Sequence, residues 1–248
     1  MGIERSVKRP EEIESFSPGD NFKIEAIGAV NLHIPLLVNH LDFFPAAFRF
    51  KCGEKLLYID PVKVDKYEKA DYILITHKHQ DHFLIEDIEK LLKSQTVIIC
   101  PQKVFVKLTK KIKGAELKQI KPGEKLNYDE IVIETVAAYN DKKGLIIPHP
   151  KSHDNVGYII GFDGFRIYHA GDTDYVEEIK TLKDITAAFV PIDGDGLTMS
   201  TEKAAELVNN MKPEFAIPMH YSLGTPEVKK FRKLVDESVN VIIMDGQQ

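Results

Sequence analysis

Residues 72–82 read YILITHKHQDH, an apolar run that stops at Thr76 and passes straight into three histidines and an aspartate. A chain with that junction has little freedom. The run must be buried as a strand, and the polar cluster must occupy the turn at the strand's carboxyl end, where scaffolds of this kind commonly carry ligand sites. Other short β-rich runs share the same plan. Strands are expected over 55–60, 71–76, 96–100, 131–138, 156–162, 165–170, 187–192, 215–219 and 241–244, with a two-residue hairpin turn of the type I′ kind at Asp163-Gly164. Helical periodicity is clearest over 84–94, 200–211 and 225–237. Ser200 or Thr201 can cap the second of these, and Thr225 precedes Pro226 in the favoured order of N-cap and first helical residue.

Several of these strands are continuous apolar runs, so both of their faces must be covered. Helices outside and a second sheet inside is a natural packing, an α/β fold arranged as a four-layer αββα sandwich. No internal repeat or low-complexity block interrupts the pattern, and 43% hydrophobic residues are ample for a core. The expectation is a polar leader over 1–20 and one domain over 21–248.

Composition excludes several function classes. A formal net charge of -5 argues against a phosphate-tracking nucleic-acid binder. No run is long enough for a membrane-spanning helix, and the first twenty residues lack the apolar stretch of a signal peptide, so a cytoplasmic protein is expected. Cys52 and Cys100, the two cysteines, stand far apart and suggest neither a disulfide framework nor a thiolate metal site.

The chemistry gathers at strand ends. His77 and His79 can converge on one cation through neutral imidazoles, while Asp81 and His82 project differently and suit a second. Asp172, after 165–170 and a small Ala-Gly pair, offers a carboxylate able to bridge two cations, and Asp174 can cap the helical turn after it. His220 ends the apolar run 215–219. His149 and His153 lie shortly before the strand at 156–162, and one of them would complete a site. Lys151, Asp193, Asp195 and Tyr221 are candidate substrate contacts by position, and His169 is a candidate support for a ligand.

T-H-x-H-x-D-H after a strand, then Y-H-A-G-D-T-D, then I-P-M-H-Y, in that order, resembles the metallo-β-lactamase superfamily of metal-dependent hydrolases. The similarity runs from about residue 30 to 245 and looks strongest to the L-ascorbate-6-phosphate lactonase-like branch. The resemblance implies a binuclear site. His77, His79 and a later histidine would hold one ion, Asp81, His82 and His220 the other, and Asp172 would bridge them. The pattern Ala138-Tyr139-Asn140, His149-Pro150-Lys151 and Gly157-Tyr158 matches that branch and favours His149 as the later histidine, with His153 as the alternative. Asn140 stands about where a phospholipase-like branch has its ligand histidine.

The resemblance further implies a hydrolase acting on a small-molecule ester, lactone or phosphodiester through hydroxide made at two divalent cations. Zinc is the first choice, with manganese or iron(II) also compatible, and Asp81 would hold or relay a proton. Two other classes share such a scaffold: an iron-dependent oxidoreductase or dioxygenase, and a non-catalytic binding protein. The complete H-x-H-x-D-H favours hydrolysis, because the flavodiiron branch usually carries a glutamate in the second histidine's place. Homo-oligomer formation is left open.

Overall fold

The computed structural model describes residues 15–34, 38–62, 64, 68–141, 147–194, 196–222 and 225–244, with backbone alone over 28–46. The chain divides into two compact units. One contains the residues up to Gln119 together with His220–Gly224 and Met244–Gln248, and the other contains Ile120–Met219 and Thr225–Ile243.

The first unit is a seven-stranded mixed sheet whose spatial order follows the chain: β1 (Ser15–Gly19), β2 (Phe22–Ile34), β3 (Val38–Cys52), β4 (Lys55–Ile59), β5 (Tyr72–Leu74), β6 (Val97–Cys100) and β7 (Glu116–Gln119). The first three pairings are antiparallel and the last three parallel. Parallel neighbours need crossovers, and two of these contain α1 (Ile85–Leu91) and α2 (Gln102–Leu108). Both helices present buried aliphatics: Ile88 and Leu91, then Val104 and Leu108, join Tyr58, Ile73, Ile75 and Ile98 in one apolar cluster. Cys100 belongs to it as well, and Cys52 is likewise buried. Burial pushes both thiols up to about 12, so neither is a thiolate near neutrality.

The second unit repeats the pattern without any sequence repeat to announce it. Its sheet comprises β8 (Lys125–Tyr128), β9 (Ile131–Ala137), β10 (Val156–Phe162), β11 (Phe165–His169), β12 (Ala187–Pro191), β13 (Phe215–Met219) and β14 (Asn240–Val241), again with three antiparallel joins followed by three parallel ones. The β10–β11 hairpin turns through Asp163 at φ 49° and Gly164 at φ 81°, the positive pair that the Asp-Gly signal predicts. Three helices belong to this unit: α3 (Glu177–Lys180), α4 (Thr201–Met211) and α5 (Glu227–Leu234). Ser200 caps α4, its Oγ accepting from Lys203 N at 3.3 Å. Helix α5 begins one residue later than Thr225-Pro226 suggests, with Pro226 itself at the cap.

The strands without a clear apolar signature are mostly polar or lie at sheet edges. β7 and β8 are edge strands reading ELKQ and KLNY, whose exposed lysines discourage further pairing and erase the apolar alternation that marks a strand. β1 is another edge strand and carries a proline. The expected strand at 241–244 shrinks to Asn240–Val241. No helix among the described residues is long and apolar enough to cross a membrane.

Candidate metal centre

In the first unit the site grows from the end of β5. That strand is wholly buried, and the chain leaves it through Ile75 and Thr76 into a tight turn in which His82 N and Phe83 N both donate to His79 O, at 3.1 and 2.9 Å. The turn throws the rings together: centroids of His77 and His79 lie 4.6 Å apart, and those of His77 and His82 4.3 Å. His220, which comes directly after β13, stacks on His82 at 5.5 Å and takes φ 51°. A left-handed histidine costs on the order of 1 kcal/mol or more and is held there only by its surroundings. His77, Asp81, His82 and His220 are buried and His79 is half-buried.

Asp60 organises this group. It directly follows β4, is fully buried and also adopts a positive φ, 47°. Its Oδ1 accepts from Thr76 N at 2.7 Å, and its Oδ2 accepts from Thr76 Oγ1 at 2.6 Å and from His82 Nδ1 at 2.7 Å. Thr76 Oγ1, its own hydrogen committed to Asp60, is left to accept from His77 Nδ1 at 3.0 Å. Both histidines therefore carry their hydrogen on Nδ1 and their lone pair on Nε2. Burial pushes the Asp60 carboxyl above the usual range, opposed by His82 and then by Thr76. In sequence Asp60 reads only as the end of a strand. The available signal is a carboxylate closing an apolar run, the same junction that draws attention to Thr76 and His220.

The second unit supplies a matching pair. His149, 1% exposed, sits beside Asp172, with Nε2 3.3 Å from Asp172 Oδ2. Its Nδ1 lies 3.0 Å from Asn140 Oδ1 and 3.1 Å from Leu197 O, two acceptors, so Nδ1 carries the hydrogen here too. Asn140 Nδ2 donates to the same Leu197 carbonyl at 2.8 Å, and Asn140 Oδ1 also accepts from His149 N at 3.0 Å. Asn140 thus orients His149. Asp172 is positioned by the turn after β11, where Gly171 has φ 62° and donates its N–H to His169 Nδ1 at 3.3 Å. Gly157 makes room for that turn, since a Cβ there would meet Ala170 O at 2.7 Å and His169 O at 2.9 Å.

His153 is half-buried in the short 3-10 turn Lys151–His153. Lys151 donates to Glu178 Oε1 at 2.7 Å and to Tyr139 OH at 3.2 Å. Lys151 holds the Glu178 carboxyl below the usual carboxylate range. Asp193 pairs with Ser200 in an isolated bridge, Tyr221 is buried, and Asp195 lies outside the described residues.

The donor chemistry fits cations. A lone-pair nitrogen of His149 faces a carboxylate oxygen at 3.3 Å, and that of His82 lies 3.5 Å from Asp81 Oδ2; His220 Nε2 is 3.4 Å from the same oxygen. Acceptors set against acceptors repel unless something positive sits between them. Among the described residues, Asp81, His82 and His220 offer ligand atoms within 4.8 Å of one another, as do His77 with His79, and Asp60 with His77 and His82. Two mixed sheets with helices, and buried imidazole and carboxylate donors at strand ends, define an α/β metal-binding protein.

Comparison with known proteins narrows this class. The profile of the beta-lactamase superfamily domain matches residues 43–220. Over 217 residues the chain is 32% identical to a UPF0173 metal-dependent hydrolase of Pyrococcus furiosus, a match covering 80% of this chain and 92% of that one. A crystal structure from Parabacteroides distasonis, assigned as a metal-dependent hydrolase, superposes with a TM-score of 0.75 at 30% identity, over 95% of this chain and 99% of the other. A metallo hydrolase from Ignicoccus hospitalis shares the fold at a TM-score of 0.64 and 24% identity, over 82% of this chain and 93% of the other. The chain belongs to the metallo-β-lactamase superfamily and, within it, to the UPF0173 metal-dependent hydrolases.

Proposed function

We propose that this hydrolase cleaves an ester, lactone or phosphodiester bond of a small molecule. His77, His79 and His149 would hold one divalent cation and Asp81, His82 and His220 a second, with the Asp172 carboxylate available to both. The observation that carries the reading is the pair of Nε2 lone pairs of His82 and His149 turned toward oxygens of Asp81 and Asp172, each fixed by a hydrogen bond on the opposite ring nitrogen. Nitrogen-rich ligation with carboxylates favours zinc, and manganese or iron(II) tolerates the same donors. Bound there, such a pair of ions would acidify water and so supply hydroxide near neutrality.

The protein's own groups do the rest. Asp60, Thr76, Asn140 and the Leu197 carbonyl hold the imidazoles in one tautomer and one orientation, so little reorganisation is needed at the moment of reaction. Asp81 takes the proton released by the attacking water and returns it to the leaving oxygen. The acyl or phosphoryl bond to that oxygen breaks as the new bond to water oxygen forms. The likeness to the lactonase-like branch makes lactones the first substrates to try.

His79→Ala tests the assignment. It should lose about one equivalent of bound metal per chain and most hydrolysis across a panel of esters, lactones and phosphodiesters. Unchanged metal content by elemental analysis would overturn the ligand set.

A further inference from the structure

Three segments of the second unit bring His149 and Asp172 to one place: residues 138–141 with Asn140, residues 149–153 with His149, and residues 172–180, which run from Asp172 into α3. The first is laced to the third along its backbone. Tyr139 N donates to Thr173 Oγ1 at 3.1 Å, Asp174 N to Tyr139 O at 2.8 Å, and Asp141 N to Asp174 Oδ2 at 3.0 Å. The first is tied to the second through Asn140, whose N–H donates to His149 O at 2.8 Å and whose Oδ1 accepts from His149 N at 3.0 Å. Between the second and third, His149 Nε2 and Asp172 Oδ2 set two acceptors 3.3 Å apart, a contact that by itself pushes the segments away from each other.

Lys151 and Glu178 oppose that push. Lys151, two residues past His149, donates from Nζ to Glu178 Oε1 at 2.7 Å, and Tyr139 OH donates to Glu178 Oε2 at 3.0 Å. The same ammonium donates to Tyr139 OH at 3.2 Å and lies 4.6 Å from the centroid of the Tyr139 ring. One carboxylate on α3 therefore takes a hydrogen bond from each of the other two segments, on separate oxygens. An exposed ion pair contributes little when it stands alone, but this one closes a ring of contacts whose other members already fix Asn140 and Asp174.

We infer that Tyr139, Lys151 and Glu178 form a clamp that holds His149 at its distance from Asp172 before a cation binds, and that Lys151 is a positioning residue and not a substrate contact. The inference deepens the metal reading and rests on it for one consequence, tighter cation binding by donors already in place. The clamp itself is a property of the polypeptide.

Amide hydrogen exchange on the full-length, metal-free protein reads the clamp directly. In Lys151→Met and in Glu178→Leu, the N–H groups of Asn140 and His149 should exchange about threefold faster or more, the scale of losing an exposed ion pair. Exchange at Ile133 and Ile160, paired across β9 and β10, should match wild type, which separates a loosened segment from a loosened fold. Chelator competition with zinc should show one bound ion released about three- to tenfold more readily in either variant, less than for a group that touches a ligand. Lys151→Arg should restore both readouts, and the double variant should lose no more than either single one. Unchanged exchange at Asn140 and His149 would overturn the proposal, as would wild-type zinc affinity in a variant whose exchange had quickened. Exchange is measured without metal, so its failure condemns the clamp alone, whereas a wild-type protein that retains no zinc condemns the ligand set alone.

Discussion

Asp60→Asn changes one atom and should disable a residue that touches no substrate. Asp60 presents two oxygens to three donors: Thr76 N, Thr76 Oγ1 and His82 Nδ1, all within 2.7 Å. An asparagine can satisfy the set in neither orientation. With its oxygen toward Thr76 N, its NH2 faces His82 Nδ1, and the imidazole must move its hydrogen to Nε2 to accept. With its oxygen toward His82, its NH2 confronts the Thr76 N–H. The first orientation removes the lone pair from His82 Nε2, the nitrogen proposed to hold a metal, and the second leaves two donors face to face. Loss of one hydrogen bond to a charged acceptor is worth about 1.5–3 kcal/mol. A chain of this size with a total stability of about 5–15 kcal/mol stays folded under that loss. Its melting temperature should fall by roughly 3–12 °C, at about 2–4 °C per kcal/mol. Disturbing a group that orients a ligating histidine typically lowers metal affinity about 10–100-fold. Chelator competition on the purified variant measures the affinity, and thermal unfolding of the metal-free protein measures the stability. If Asp60 were carried as a neutral acid, the amide would replace it at almost no cost, and a variant matching wild type in both assays would refute the tautomer argument.

Two further outcomes rest on other contacts. Gly157→Ala places a Cβ 2.7 Å from the Ala170 carbonyl oxygen and should cost about 1–3 kcal/mol in denaturant unfolding, as overpacking does, whereas Gly161→Ala, whose Cβ would meet Val132 at 3.4 Å, should change stability by less than about 1 kcal/mol. Equal effects at the two glycines would contradict the close-approach reading. Burial draws the Glu25 carboxyl upward, but hydrogen bonds from Lys23 and Arg49 more than offset it and hold it below the ordinary range, with Arg49 Nε donating to Oε2 at 2.6 Å. A depressed pKa stabilises the fold above the unfolded value of about 4.3 and is lost as pH falls through the folded one. Glu25→Gln should therefore destabilise at pH 7 and converge with wild type as pH falls through the folded pKa in urea titrations, and a gap that is independent of pH would count against it.

The sequence carried the strand-to-cluster junctions because burial and ligation demand different residues on the two sides of one peptide bond. Apolar runs at 156–162 and 215–219 coincide with β10 and β13 residue for residue, and the Asp-Gly turn behaves as its backbone preferences require. The H-x-H-x-D-H turn gathers its rings as the spacing suggests, with the His77 ring 4.6 Å from that of His79 and 4.3 Å from that of His82. Edge strands such as β7 and β8 were not legible, because half-solvated lysine-rich strands are paired by their neighbours and carry no apolar period of their own. Nor could spacing say that Asp60 and Thr76, 16 residues apart, share two hydrogen bonds, or that Asn140, His149 and Leu197 meet. The Asp60–Thr76 contacts exist because the parallel strands β4 and β5 bring their carboxyl ends together, and the others because 2.8–3.1 Å hydrogen bonds join loop atoms the chain keeps far apart. Residue types declared the chemistry in advance, but which nitrogen holds a proton and which carboxylate faces it are properties of distance and angle, and only folding creates those.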